Sequence, residues 1–161
     1  MQKYRKPKFT EADLGTNPLT NALSIPIRRV AMNGQFYRAA EDDAWLNNVA
    51  DLEATRITKV FVSAERRLIY AKLTPRAKEL WGWLQYELEP GKDYLWINRV
   101  RFMEEVTVRA INTYAEAVRQ LVRYGFICHS LVSGVYWINP DFMFLGNRQR
   151  KYPEKVTTTT L

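Results

Sequence analysis

Cysteine and histidine are all but missing: the 161 residues include one of each, Cys128 and His129. A lone cysteine excludes a disulfide within the chain and makes a reducing cytoplasm the expected compartment. A lone histidine excludes the His pair that would hold a metal beside a nucleophilic tyrosine in a DNA-nicking enzyme. Cys128 and His129 are neighbours on an expected strand, so their side chains point to opposite faces and cannot form a nucleophile–base pair. Glycine is sparse too, with seven residues, and Gly91-Lys92-Asp93 lacks the Gly-rich loop and the Ser/Thr of a phosphate-binding loop. Glu41-Asp42-Asp43 reads as a helix N-terminus, where carboxylates meet the dipole favourably, rather than as a Mg²⁺ site. No run approaches the roughly 18 apolar residues of a membrane span. The start, MQKYRKPKFT, is basic but has no apolar stretch of the kind a secretory signal needs. Catalysis, a cofactor, a metal site and a membrane location are therefore not expected.

What is abundant is aromatic surface and positive charge. Five Trp, nine Tyr and seven Phe supply a core, and the net charge of +7 favours a polyanionic partner, nucleic acid before membrane. Residues 1–20 read as a basic flexible arm carrying Lys3, Arg5, Lys6 and Lys8. Residues 21–72 read as an N-terminal α/β extension. Within it, Ser24 to Val30 suits a short edge strand that tolerates Pro26. Ala39 to Ala54 carries Trp45, Val49 and Leu52 at helical spacing, and Arg56 to Val62 alternates like a strand. Residues 151–161, ending in TTTTL, read as a disordered tail.

The signals sharpen over residues 73–150. Thr74 caps a helix whose first turn takes Pro75 and whose apolar stripe is Ala77, Leu80, Trp81, Leu84 and Leu88. Pro90-Gly91 ends it, and Tyr94-Leu95-Trp96-Ile97 is a short strand. Asn98 caps a short helix with Phe102, Met103 and Val106. Asn112 is expected to cap a longer one, with Ala115, Val118, Leu121 and Val122 buried and Gly125 as its stop. Two strands follow, Phe126 to Leu131 and Val135 to Ile138, joined at Ser133-Gly134. Helix, strand, helix, helix, hairpin is the order of a winged helix. The expected fold class is thus α+β, a winged helix-turn-helix domain with an N-terminal α/β extension.

In helix-turn-helix modules the second helix enters the major groove. Asn112, Glu116, Arg119 and Arg123 share one face of that helix, and Asn, Glu and Arg are suited to adenine, cytosine and guanine edges respectively. Arg109, Thr113 and Gln120 flank them. The wing tip Leu131-Val132-Ser133-Gly134 has no Lys or Arg, so the wing offers only His129, Ser133 and main-chain N–H groups. Phosphate binding then falls to the N-terminal arm and to Arg148, Arg150 and Lys151, which exit beside the DNA-facing side after Phe142 and Phe144 fold back on the core. The alternative for that basic run is a solvated tail. Trp83 and Tyr86 lie off the stripe of the first helix; packing by residues 21–72 is favoured over a homodimer contact.

The stretch YAEAVRQLVRYGFICHSLVSGVYWINPDFMFLGNR resembles the end of the winged-helix replication initiators of small bacterial plasmids, the RepL-like group. The matching positions are Leu121, Gly125, Gly134, Tyr136, Asn139, Pro140, Phe142, Phe144, Gly146, Asn147 and Arg148, and the similarity covers about the last 80 residues. The resemblance implies sequence-specific binding to double-stranded origin DNA and recruitment of host replication proteins, without catalysis. A winged-helix transcriptional or copy-number regulator, and a protein–protein module that no longer binds DNA, are the competing functions.

Overall fold

The computed structural model describes residues 5–32, 35–40, 59–60 and 64–160. It is a mixed α+β structure. The helices are α1 (Ala64–Ala71), α2 (Pro75–Glu87), α3 (Arg99–Glu105), α4 (Ile111–Arg123) and the single turn α5 (Arg148–Lys151). The strands are β1 (Ile25–Met32), β2 (Gln35–Ala40), β3 (Lys59–Val60), β4 (Tyr94–Trp96), β5 (Ile127–His129), β6 (Val135–Ile138), β7 (Met143–Phe144) and β8 (Val156–Thr160). Three short 3₁₀ turns complete the described elements.

The central unit follows the expected order, α2-β4-α3-α4-β5-β6. Thr74 accepts a hydrogen bond from the Ala77 N–H and Asn98 accepts one from the Arg101 N–H, so both side chains satisfy orphan donors at helix starts. Helix α4 departs from expectation. It begins at Ile111, its N-cap is Ala110 with no side-chain bond, and Asn112 lies in the first turn instead of capping it. Tyr114 and Ala117 join Val118 and Leu121 on its buried side, and α4 packs on α2. Its stop is as expected: Gly125 takes φ +76°, which costs glycine little.

The antiparallel sheet has the order β4-β6-β5, with Leu95 opposite Tyr136 and His129 opposite Tyr136 on the other side. Alternation sorts its side chains onto two faces. Leu95, Ile127, Ile138 and Tyr136 meet the helices in the main core, where Trp81, Phe126 and Phe142 stack edge-on or tilted. Tyr94, Trp96, Val135, Trp137 and Cys128 form the outer face.

That outer face is covered by the N-terminal segment, which corrects the expectation of a flexible arm through residue 20. Leu14 is 1% exposed and buries against Val135 and Trp137, with Phe9 and Leu19 beside it. Asn17, also buried, donates to Asp93 Oδ2 at 3.0 Å and to the Ile138 carbonyl at 3.2 Å. The physical cause is plain: a sheet whose second face is aromatic needs a cover, and the apolar residues among the polar ones supply it.

The C-terminal segment is likewise ordered, correcting the expectation of a disordered tail. Tyr152 is buried and its hydroxyl donates to Asp93 Oδ2 at 2.7 Å. Val156–Thr160 is strand β8, parallel to β1, with Ile25 opposite Val156 and Arg29 opposite Thr160. A threonine run suits a strand because the branched side chain is favoured there. Strand β1 therefore is central in the order β2-β1-β8, not an edge. Pro26 is tolerated because the β1–β2 ladder begins at Ile27, leaving Pro26 a neighbour on the β8 side alone. The first and last strands thus pair with each other.

The expected helix from Ala39 to Ala54 lies outside the described residues apart from Ala39 and Ala40, which end β2. Of the expected strand from Arg56 to Val62 only β3 is described, paired antiparallel with β7. Among the described residues, Trp83 stacks on Phe102 at 5.4 Å, lies under Arg101 and donates to Glu105 at 2.5 Å. Tyr86 is 79% exposed. Among the described residues no helix is long and apolar enough to cross a membrane.

Candidate nucleic-acid interface

Burial of Tyr114, Ala117, Val118 and Leu121 fixes the rotation of α4 and turns its polar residues outward. Asn112, Glu116, Arg119 and Arg123 avoid the core, as the spacing predicts; Asn112 is exposed, Thr113 and Gln120 are half-buried, and Arg109 is exposed just before the helix. Arg119 reaches Glu116 at 3.1 Å, one turn back on the same face. Arg123 lies over the ring of Tyr124 at 5.5 Å.

The turn that delivers α4 is tight. Val108 N–H donates to the Met103 carbonyl at 2.8 Å, and Thr107 takes φ +57°, a left-handed conformation rare for a β-branched residue. Phe102, packed against Tyr114 at 6.0 Å, locks α3 to α4.

The hairpin after α4 is rigidly built. Ser130 Oγ donates its one proton to the Val135 carbonyl at 2.7 Å, with the Val132 carbonyl at 3.0 Å as the alternative acceptor, and accepts from the Val132 N–H. Leu131 N–H donates to the Leu14 carbonyl, and Gly15, at φ +83°, passes so close that a Cβ there would lie 3.1 Å from Leu131 Cδ1. Leu131 is nonetheless 82% exposed, and Ser133 is exposed beside it. His129 does not belong to the tip. It is the exposed end of β5 on the helix-facing side, tilted against Tyr136 at 4.9 Å. There it completes a cleft of about 380 Å³ with Glu116, Arg119, Gln120, Val122 and Arg123.

The other expected phosphate ligands divide. Arg148 is completely buried, which corrects its assignment to DNA. It donates to the Pro140 carbonyl at 2.9 Å and lies 3.9 Å from Asp141; burial pushes its pKa down to about 10. Asn147 rather than Arg148 faces the turn, accepting from the Arg150 N–H. Arg150 is exposed, whereas Lys151 is tied to the Gly91 carbonyl at 2.9 Å and sits 4.0 Å from Glu11. Arg5, Lys6 and Lys8 lie along the described start of the chain, while Lys3 lies outside the described residues. Lys6 and Lys8 line a groove with Lys92, Tyr94, Trp96 and Arg101 along β4, the opposite edge of the sheet from His129. Carboxylates share that groove, with Glu89 paired to Lys92 and Glu87 to Arg101, so it is not a purely basic track.

The structure therefore gathers Glu116, Arg119, Gln120 and Arg123 with His129 and sets the arm and the C-terminal basic residues apart from them. The segment of residues 9–20 is the feature that sequence reasoning missed. Its signal was the alternation of large apolar residues on both faces of β4 and β6, which demands a second cover. Among the described residues no three His, Cys, Asp or Glu side chains gather as a metal site would require, and Glu41-Asp42-Asp43 lies outside them. Comparisons with protein-family models, curated proteins and solved structures found no match to this chain.

Proposed function

We propose that the protein is a winged helix-turn-helix binder of double-stranded DNA, with α3 and α4 as the helix-turn-helix pair and β5–β6 as the wing. The observation that carries the reading is the outward face of α4. Asn112, Glu116, Arg119 and Arg123 stand outside the core on the second helix of a tight α3–α4 turn, ahead of a hairpin in a β4-β6-β5 sheet. Side chains near the N-terminus of such a helix enter the groove most deeply, and those near its C-terminus meet the backbone. Asn112 and Arg119 are accordingly the base readers and Arg123 a phosphate contact. The net charge of +7 supports a polyanionic partner.

The resemblance of the C-terminal stretch to plasmid replication initiators extends the proposal to a role: binding at repeated origin sites and recruiting host replication proteins. Binding-site selection from random duplexes tests the reader. Wild type should return a defined motif; Arg119→Ala should lose about 1–3 kcal/mol on it and relax one position. Asn112→Ala should relax another. Variants that keep the wild-type motif and lose affinity uniformly would remove α4 as the reader. Footprinting on the encoding replicon tests the role, because iterated protection in an origin fits an initiator and one palindrome over a promoter fits a regulator. Absence of duplex binding at moderate salt would leave the protein–protein reading.

A further inference from the structure

We propose that the cleft between the C-terminal half of α4 and strand β5 seats one phosphodiester of the DNA backbone, and that protonation of His129 strengthens its hold. The inference rests on the DNA-binding reading and deepens it. The cleft has about 380 Å³, room for a phosphodiester with flanking sugar, and is lined by Glu116, Arg119, Gln120, Val122, Arg123 and His129.

Its charges are not equivalent. Glu116 holds Arg119 at 3.1 Å, so that pair is close to neutral as a unit. Arg123, stacked on Tyr124, is the fixed cation. His129 approaches from the other wall, on a strand, with its ring braced by Tyr136 from β6. The groups that face it are thus Glu116, Arg119 and Arg123 from α4 and Tyr136 from the sheet.

A phosphate fits better than a base edge. His129 lies on the sheet, behind the helix, beside the end of α4 that leaves the groove and meets the backbone in such modules. Its position also bears on a wing tip without Lys or Arg: the side chain that would meet phosphate stands at the wing's base instead. Imidazole titrates near pH 6.5 when unperturbed, and an anion held beside it favours the imidazolium form. Binding and protonation are then linked, so affinity rises as pH falls. Because His129 is the chain's one histidine, a pH dependence that His129→Gln abolishes has a single imidazole behind it.

The experiment measures affinity for the selected duplex from about pH 5.5 to 8.0 at constant salt, a range that brackets imidazole titration. Wild type should tighten up to about tenfold toward the acid end, one pKa unit of linkage corresponding to tenfold. His129→Gln should be flat at the high-pH affinity, and His129→Arg flat and tight. At the acid end the His129→Gln salt slope should be shallower by about 0.9, as expected when one phosphate is no longer neutralised. A flat wild-type profile, or His129→Gln retaining the wild-type pH dependence, overturns the phosphate site while leaving the DNA-binding reading intact. Wild type that binds no duplex at any pH overturns that reading and this site with it.

Discussion

Arg148 is the largest fully buried side chain among the described residues. It has no exposed surface, reaches the Pro140 carbonyl, and stands near Asp141, which Arg66 of α1 also engages at 2.5 Å. Asp141 keeps Arg66, so the cost of truncating Arg148 is the cavity left by a fully buried side chain, about 2–5 kcal/mol for large-to-small core changes. Arg148→Ala should therefore destabilise by that order in chemical denaturation. Duplex specificity of the folded fraction should match wild type; a selective change of motif would restore Arg148 to the DNA surface. Asp93 is the other buried residue on which several segments converge, accepting from Asn17 and from Tyr152. Burial first, and then the Asp93 carboxylate, push the Tyr152 hydroxyl well above its ordinary pKa. The sign follows directly. A raised folded-state pKa gives stability that is intact below the unfolded value near 10 and lost as pH climbs beyond it, since the unfolded chain releases a proton that the native state keeps. Wild type should lose about 1.4 kcal/mol per pH unit above pH 10 more than Tyr152→Phe does. Parallel alkaline profiles for the two proteins would separate Tyr152 from the effect.

At the level of elements, the α3–α4 turn stores strain. Thr107 adopts φ +57° between Val106, the C-cap of α3, and buried Val108. A left-handed non-glycine residue costs of order 1–3 kcal/mol. Thr107→Gly should recover about 1 kcal/mol in thermal or chemical unfolding with α4 still in place. A neutral or destabilising result would mean that the Thr107 side chain makes interactions that outweigh the strain. What could be read of these elements from sequence follows the range of the forces. Helices α2 and α3 were legible because Thr74 and Asn98 act on backbone N–H groups three residues away. The start of α4 was misplaced because Ala110 makes no side-chain cap and Asn112 merely resembles one. Its outward face was legible, since burial at i, i+3 and i+4 leaves the other side no choice. Strand β8 was not, because its partner β1 lies at the other end of the chain and a threonine run has no periodicity of its own. Arg148 was misassigned for a related reason: a basic cluster in sequence says nothing of which member turns inward. His129 was grouped with the wing tip, whereas its register opposite Tyr136 sets it at the end of β5, where it lines the cleft beside α4.

Across the whole molecule, the two ends of the chain do different work along their length. Residues 9–20 are structural, with Leu14 sealing the outer face of the sheet and Asn17 bonded into the Asp93 site. Ahead of them, Arg5, Lys6 and Lys8 add to a surplus of 24 basic over 17 acidic residues. On the proposed DNA-binding reading their contribution is electrostatic, because Lys6 and Lys8 flank the β4 edge and do not line the cleft beside α4. Truncation should separate the two roles. Loss of residues 1–8 should leave stability and the selected motif unchanged while shallowing the salt dependence of duplex binding by about 0.9 in slope for each phosphate the arm neutralises. Leu14→Ala should do the reverse, costing about 2–5 kcal/mol of stability as a buried large-to-small change and leaving the salt slope alone. Deletion through residue 20 would combine both and expose Trp137 and Val135, so an increase in dye binding to apolar surface should accompany it. An unchanged salt slope after the short truncation would remove the arm from the DNA interface, and a stable, dye-silent long truncation would mean that the sheet's outer face has another cover.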